Sequence, residues 1–198
     1  MGFVLGLTGG IATGKSTVVA IFRSFGFPIV DGDQIAREIV EVGQPALAAI
    51  EKVFGAAVIL PDGQLDRKKL GEIIFNQPEK RHVLNQLLDP FLRKTILDRV
   101  ESYQEKSELV IVDLPLLFEG DYIDTVDAIA TVYVPESVQL KRLMARDNLS
   151  EQDAKKRMNS QWPIEEKKAK SSIVFDNQQS IAETKKQVIA WLKSHQYI

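Results

Sequence analysis

The sequence predicts an α/β fold with a five-stranded parallel sheet, and three observations lead to this prediction. Five short apolar or β-branched runs have the length of buried strands: residues 3–7, 27–30, 109–112, 129–134 and 172–175. Between the first two runs, apolar residues from Val18 to Phe25 recur at the spacing of one helix face. Together these segments form a βαβ unit, which is the usual way of joining parallel strands.

The composition is that of an ordinary soluble protein. The chain has 198 residues, of which 44% are apolar and 26% are charged, and no stretch approaches the ~20 apolar residues of a membrane span. A formal net charge of −2 provides no basic field for nucleic acid, and the absence of cysteine excludes disulfides and thiolate metal sites. The first residues lack the features of a signal peptide. We therefore expect a cytoplasmic protein, monomeric or weakly homo-oligomeric, that binds neither nucleic acid nor membranes.

Two helical insertions are predicted within the sheet domain. The longer one, residues 35–106, contains successive residues that begin or end helices: Pro45, Gly55, Asp66 and Pro78. The shorter one, residues 141–170, is rich in charge and is interpreted as a lid over the site. The nucleotide-binding core then consists of residues 1–34, 107–140 and 171–198.

The segment GGIATGKST, residues 9–17, fits the phosphate-loop pattern G-x-x-x-x-G-K-[ST] between a predicted strand and a helix. In such a loop backbone N–H groups bind phosphate oxygens, a lysine contacts the β- and γ-phosphates, and a serine hydroxyl binds Mg²⁺. Lys15 and Ser16 occupy these two positions, and the alternative is a glycine-rich turn that matches by chance. The predicted nucleoside triphosphate site consists of Gly10, Ile11, Ala12, Thr13, Gly14, Lys15, Ser16 and Thr17.

Two aspartates follow the second predicted strand, at the sheet edge that also carries the phosphate loop. A kinase needs one carboxylate to orient or deprotonate the acceptor hydroxyl and others to hold Mg²⁺. We predict Asp33 as the catalytic base, beside Lys15 as the other catalytic residue, and Asp31 as a metal ligand. The alternative is that either aspartate caps a helix beginning near Gln34.

A further metal ligand is predicted at the end of LVIVD, residues 109–113, which resembles a Walker B strand. Its last residue, Asp113, would hold Mg²⁺ together with Ser16 and Asp31. An aspartate at this place can also serve only to satisfy N–H groups of the following loop, and spacing alone leaves both possibilities open.

Basic residues with helical spacing mark the predicted lid. Arg142 and Arg146 lie four residues apart in a helix predicted after Pro135, so they share one face. Guanidinium groups bind phosphate oxygens through a planar fork of donors. Spacing alone favours a solvated basic helix face; phosphate contacts from these two residues, with Arg157 as a third candidate, are the alternative.

These motifs together resemble the dephospho-CoA kinase family, which carries out the last step of coenzyme A synthesis. The resemblance covers nearly the whole chain and depends on LTGGIATGKST, VDGDQIAREIV, LPLLFE (residues 114–119) and QLKRLMARDNLSEQDAKKRM. It implies a P-loop kinase core, ATP as donor with Mg²⁺, dephospho-CoA as the small-molecule substrate, and Asp33 as base toward its ribose 3'-hydroxyl. It also implies that Arg142 and Arg146 belong to the closing lid, and on this ground we predict that they contact phosphate. The acceptor-binding residues that it implies are Thr8, Asp33, Arg93 and Leu116.

Two positions depart from the family's pattern. Asp89-Pro90 stands where the family usually has His-Pro, and Asn177-Gln178 stands where it often has Asn-Gly. An aspartate adds negative charge near an anionic substrate, so we interpret Asp89 as the cap of a helix that begins at Pro90.

The sequence thus predicts ATP-dependent phosphorylation of dephospho-CoA. The alternative within the same fold is a nucleoside monophosphate kinase with a different acceptor pocket. A GTP-dependent switch, a rival of another class, usually carries the motif Asn-Lys-x-Asp, which does not occur in this chain.

Overall fold

A parallel sheet of five strands organises the chain, of which the computed structural model describes residues 2–198. The strands are β1 (Phe3–Gly9), β2 (Ile29–Asp31), β3 (Leu109–Asp113), β4 (Ala128–Tyr133) and β5 (Ile173–Asp176). Their order across the sheet is β2-β3-β1-β4-β5, and every neighbouring pair is parallel. The predicted α/β fold is confirmed, and each predicted strand is present with its ends shifted by at most two residues.

The chain divides into two compact units. The sheet unit consists of the residues up to Asp31 together with Val100–Ile198, and the helical unit consists of Gly32–Arg99. The helices are α1 (Lys15–Ser24), α2 (Gly32–Glu38), α3 (Pro45–Phe54), α4 (Arg67–Asn76), α5 (Pro78–Gln104), α6 (Glu136–Asp147), α7 (Glu151–Met158), α8 (Ile164–Lys170) and α9 (Ile181–Ser194). Of the helices within residues 2–198, none is long and apolar enough to cross a membrane. The predicted division into core, acceptor subdomain and lid stays a prediction.

The central strands are buried along their length rather than on one face. β1 lies between β3 and β4, its residues 4–9 are all buried, and so are all residues of β3. Continuous burial is expected where helices cover both faces of a parallel sheet. α1 and α9 pack against these strands, and Phe22 makes edge-to-face contacts with Phe175 and Trp191, each at 6.0 Å between ring centroids.

The helix ends predicted for the helical unit are confirmed. Pro45 opens α3, and Gly55, at φ 86°, follows its last residue. Asp66 caps α4 by accepting a hydrogen bond from the backbone N–H of Lys69 at 2.9 Å. Pro78 opens α5. These signals work because each helix end needs either a side-chain partner or a backbone conformation that a helix cannot continue.

The prediction that Asp89 caps a helix beginning at Pro90 is wrong. α5 is continuous from Pro78 to Gln104, so both residues lie in its interior. A proline there removes one i→i−4 hydrogen bond, a local loss that the remaining turns of a long helix outweigh. Asp89 instead pairs with Arg93 one turn later, with 3.5 Å between its Oδ2 and the Arg93 Nε.

Candidate active site

The phosphate loop connects β1 to α1 and has an unusual backbone. Ala12 at φ 61° and Gly14 at φ 88° both adopt the left-handed conformation. Glycine accepts this conformation without steric cost, whereas for alanine it costs about 1–2 kcal/mol. A backbone that mixes left- and right-handed residues can turn its N–H groups into one concavity, which is the usual anion site of such loops.

The amino-terminal end of α1 carries no negative group. Gly14 is its N-cap, no side chain within residues 2–198 caps it, and its first turn contains no acidic residue. The first turn of the helix itself therefore contributes no negative charge at the positive end of the helix dipole, which suits this end to an anion. Ser16 and Thr17 lie in this first turn, and Ser16 is exposed.

Asn177, which is distant in the sequence, holds the phosphate loop through a hydrogen bond. Its Nδ2 donates to the carbonyl oxygen of Thr13 at 2.8 Å, and its Oδ1 accepts from the hydroxyl of Thr184 at 2.7 Å. The residue is buried, and Gly14 lies so close that a Cβ added there would overlap Nδ2. Gly14 is therefore required for two reasons, its positive φ and its contact with Asn177.

Lys15 and two predicted metal ligands meet at the carboxyl ends of the strands. Lys15 forms an ion pair with Asp113, the last residue of β3, and Asp113 stands in register with Asp31 at the end of β2. Two carboxylates and the Ser16 hydroxyl are hard oxygen donors that fit Mg²⁺, which usually keeps water and phosphate as its other ligands. No group of three or more His, Cys, Asp or Glu forms a metal cage in the described part of the chain. Mg²⁺ bound beside phosphates does not require one.

The segment after β3 is fixed through one backbone carbonyl. Thr8, which is wholly buried in β1, donates its hydroxyl to the oxygen of Pro115 at 3.1 Å. Lys167 of α8 donates to the same oxygen at 2.8 Å. Leu116, the next residue, is 48% exposed. Thr8 thus has a partner within the protein and Leu116 presents apolar surface, while their predicted roles toward the acceptor stay predictions.

A buried ion pair joins α8 to the LPLLFE segment. Lys167 is completely buried, and its Nζ lies 2.8 Å from Oε1 of Glu119. The same carboxylate oxygen accepts the backbone N–H of Trp162 at 2.9 Å, and the Trp162 ring stacks on Phe118 at 5.8 Å between centroids. Burial lowers the pKa of the Lys167 ammonium, and the Glu119 carboxylate opposes this shift. Trp162, two residues before α8 begins, is thus a packing residue.

The three candidate arginines of the predicted lid have different partners. Arg142 donates to the backbone carbonyl of Asn177 at 2.9 Å, next to the phosphate loop. Arg146 and Arg157 both pair with Asp147, at 2.7 Å and 2.9 Å. The hydrogen bond from Arg146 holds the pKa of Asp147 below its usual value. Arg142 and Arg146 therefore share a helix but do not converge on one protein group.

Two further predicted residues, Asp33 and Arg93, belong to the helical unit. α2 begins at Gly32, directly after β2, so Asp33 stands in its first turn and is not its cap. That alternative is therefore wrong for Asp33. Arg93 lies in α5 and pairs with Asp89. What these two residues bind stays a prediction.

Comparison with known proteins decides the family. The profile described as dephospho-CoA kinase matches residues 3–183. The chain belongs to the dephospho-CoA kinase family. A dephospho-CoA kinase from Enterococcus faecalis is 60% identical over 190 residues, which cover 96% of each chain.

Solved structures of similar proteins agree with this family assignment. The dephospho-CoA kinase from Campylobacter jejuni is 32% identical, with a TM-score of 0.77 and 98% of each chain covered. TT1252 from Thermus thermophilus is 28% identical, with a TM-score of 0.83 and coverage of 98% of this chain and 97% of that one. The resemblance read from the motifs and the P-loop kinase fold are both confirmed.

Several side chains that hold the site were not among the predicted site residues: Glu119, Gln139, Gln161, Lys167 and Asn177. For two of them the sequence contained a usable signal. Lys167 follows the apolar Ile164 by three residues, and Gln139 precedes Leu143 by four, so each polar residue falls on a buried helix face. A polar residue at such a position must find a buried partner, although the pattern does not say which.

We expect Gly14→Ala to destabilise the protein more than Gly26→Ala, although the two glycines have similar φ angles of 88° and 86°. Both substitutions introduce left-handed strain of about 1–2 kcal/mol. Only at position 14 would the new Cβ overlap Asn177; at position 26 it meets no atom within 4 Å. Loss of the buried Asn177 bond adds about 1–3 kcal/mol. Urea unfolding followed by tryptophan fluorescence measures both, and equal losses would contradict the prediction.

We expect Lys167→Met to cost about 3–5 kcal/mol of unfolding free energy, because it leaves the Glu119 carboxylate buried without its cation. Adding Glu119→Gln should recover part of this loss. The double variant should therefore lose less unfolding free energy than the two single variants lose together. Lys155→Met, which removes an exposed pair with Glu151, is the control and should change the free energy of unfolding far less than Lys167→Met does. Additivity of the two buried substitutions within about 0.5 kcal/mol would show that the pair is not coupled.

Proposed function

We propose that this chain transfers the γ-phosphoryl group of ATP to the ribose 3'-hydroxyl of dephospho-CoA, giving coenzyme A and ADP. The bond between the γ-phosphorus and the β–γ bridging oxygen breaks, a bond from phosphorus to the 3'-oxygen forms, and the hydroxyl proton is released. The supporting observation is the arrangement of Lys15, Asp113 and Asp31 beside the phosphate loop. It occurs in a chain that the family profile matches over residues 3–183.

On the donor side, Lys15 would exchange one anion for another. Its ammonium is paired with Asp113, and in the nucleotide complex it would contact the β- and γ-phosphates. The exchange replaces a carboxylate by a phosphate, so the ammonium is never left unpaired in a partly buried site. Mg²⁺ held by Ser16, Asp31 and Asp113 would neutralise phosphate charge.

On the acceptor side, we propose that Asp33 accepts the proton of the 3'-hydroxyl. Its carboxylate would accept a hydrogen bond from the 3'-hydroxyl and take the proton as the new P–O bond forms. Arg93 is a cation suited to an anionic group of the acceptor, and Leu116 offers exposed apolar surface. Phosphoryl transfer depends mainly on positioning and charge, so these contacts would act by aligning the hydroxyl with the γ-phosphorus.

Arginines of the predicted lid would neutralise further negative charge of the triphosphate. Arg142 donates to a neutral carbonyl, and a guanidinium forms stronger, charge-assisted bonds with phosphate oxygens. A bound triphosphate can therefore compete for it. Arg146 would have to leave Asp147; its guanidinium is exposed, and Asp147 would keep Arg157 as a partner.

The acceptor distinguishes this proposal from the alternative, a nucleoside monophosphate kinase. With ATP and Mg²⁺ held constant, ADP formation should be rapid with dephospho-CoA and near background with AMP, CMP and dTMP. A coupled assay for ADP measures the rates, and mass spectrometry should show coenzyme A as the product. Turnover confined to one of the monophosphates would contradict the substrate assignment.

Substitutions separate the donor and acceptor roles. Asp33→Asn should lower kcat by about 10²–10⁴-fold, because the base is lost, with little change in the KM for ATP. Lys15→Ala should lower kcat and weaken ATP binding together, because the lysine contacts the transferred group. Asp62→Asn, at an exposed turn of the same helical unit, is the matched control for Asp33 and should retain full activity. An unchanged kcat in Asp33→Asn would overturn the base assignment but not the substrate assignment.

A further inference from the structure

Both backbone polar groups of Ile11, in the phosphate loop, are bonded to glutamine side chains. The N–H of Ile11 donates to Oε1 of Gln161 at 2.8 Å, and its carbonyl oxygen accepts from Nε2 of Gln139 at 2.8 Å. Gln139 belongs to α6 and is only 4% exposed; Gln161 lies between α7 and α8. The backbone fixes which end of each amide is which, because an N–H needs an oxygen and a carbonyl needs a donor.

Asn177 makes the same kind of contact two residues later in the loop. Its Nδ2 donates to the carbonyl oxygen of Thr13, and its own backbone carbonyl accepts from Arg142. Arg142 follows Gln139 by three residues in α6. The same helix thus bonds the Ile11 carbonyl directly, through Gln139, and holds Asn177, which bonds the Thr13 carbonyl. Gly10 completes the packing, because a Cβ there would press on the amide of Gln139.

These bonds determine where the neighbouring N–H groups point. In a planar trans peptide the C=O and the N–H point in opposite directions. A carbonyl of Ile11 that is directed to Gln139 therefore turns the N–H of Ala12 away from Gln139. In the same way, the bond from Asn177 to Thr13 turns the N–H of Gly14 away from Asn177. Both N–H groups belong to the segment predicted to bind phosphate.

We infer that Gln139, Gln161 and Asn177 are positioning residues: by bonding both polar groups of Ile11 and the carbonyl of Thr13, they hold the phosphate loop so that the N–H groups of Ala12 and Gly14 are directed toward the triphosphate. This inference rests on the proposed function, since it assigns ATP as the anion that these N–H groups bind. Ala12 and Gly14 have left-handed backbones, and a strained loop of this kind has other orientations available unless its surroundings hold it. The three amides select the orientation that binds an anion.

A carboxylate can replace the amide side chain at one of these positions but not at the other, because the two amides use different atoms. Gln139 acts as a donor, so a glutamate there would place an acceptor against the Ile11 carbonyl and favour a flipped peptide with the Ala12 N–H facing the carboxylate. Gln161 acts as an acceptor, and a glutamate keeps that role. The two substitutions add the same negative charge on either side of one residue, but only one of them removes a hydrogen bond.

The test compares Gln139→Glu with Gln161→Glu in the full chain. The affinity for ATP is measured by titration calorimetry without acceptor, and KM and kcat are measured with dephospho-CoA. At pH 8 we expect Gln139→Glu to weaken ATP binding by at least about tenfold more than Gln161→Glu, from a lost bond and a repulsive contact. The KM for ATP should carry most of the effect. Gln139→Met, which removes the donor without adding charge, covers the case in which Gln139→Glu fails to fold, and it should also weaken binding.

A pH series distinguishes positioning of the loop from general loss of stability. Burial favours the protonated form of a glutamate at position 139, and a protonated carboxyl can again donate to Ile11. The difference in ATP affinity between the two variants, each relative to wild type, should therefore narrow as the pH falls from 8 to 5.5. A merely structural role would not give this recovery.

The outcomes are separable. Equal ATP affinities of Gln139→Glu and Gln161→Glu at pH 8, with an active wild type, would overturn this inference alone. Wild-type affinity in Gln139→Met would also overturn it. A wild-type chain that binds no ATP would overturn the proposed function and this inference with it.

Discussion

The peptide groups of the phosphate loop cannot form the hydrogen bonds of a helix or a sheet, and this constraint shapes the rest of the sheet unit. One partner is local, since the N–H of Thr13 donates to the carbonyl oxygen of Gly10 at 3.2 Å, but the side-chain partners come from distant parts of the sequence. Ile11 is bonded to residues 128 and 150 positions away, and Thr13 to one 164 positions away. The loop is local in sequence, but the side chains that hold it belong to α6, to the connection between α7 and α8, and to the segment after β5.

Charged side chains near the loop are also paired within the protein. Three cations near the loop have partners within the protein: Lys15 has Asp113, Lys167 has Glu119, and Arg142 has a backbone carbonyl. A buried charge without a partner costs several kcal/mol, so a binding site for a triphosphate needs such partners before the nucleotide arrives. Partners that are easily exchanged keep the cations in place without making them unavailable.

The sequence indicated the fold well because its signals are local. Continuous apolar runs and single capping residues such as Asp66 and Pro78 mark strands and helix ends directly. The error at Asp89 arose because proline is favoured in the first turn of a helix and disfavoured in its interior, whereas α5 continues through Pro90. The site was only partly predictable. The phosphate-loop motif specifies which residues contact an anion, but Gln139 and Gln161 hold the loop through contacts that no short pattern contains.

Burial distinguishes two lysines that the sequence does not. Lys15 and Lys167 lie close enough that the charge of Lys15 contributes to lowering the pKa of Lys167. Lys167 is wholly buried and its ammonium also bonds the Pro115 carbonyl, whereas the side chain of Lys15 is 16% exposed. Releasing Lys167 would strand a buried carboxylate, while Lys15 can turn toward an incoming anion. Glu119 therefore has two effects. It neutralises Lys167, and it thereby leaves the binding of phosphate to cations that can change partners, such as Lys15.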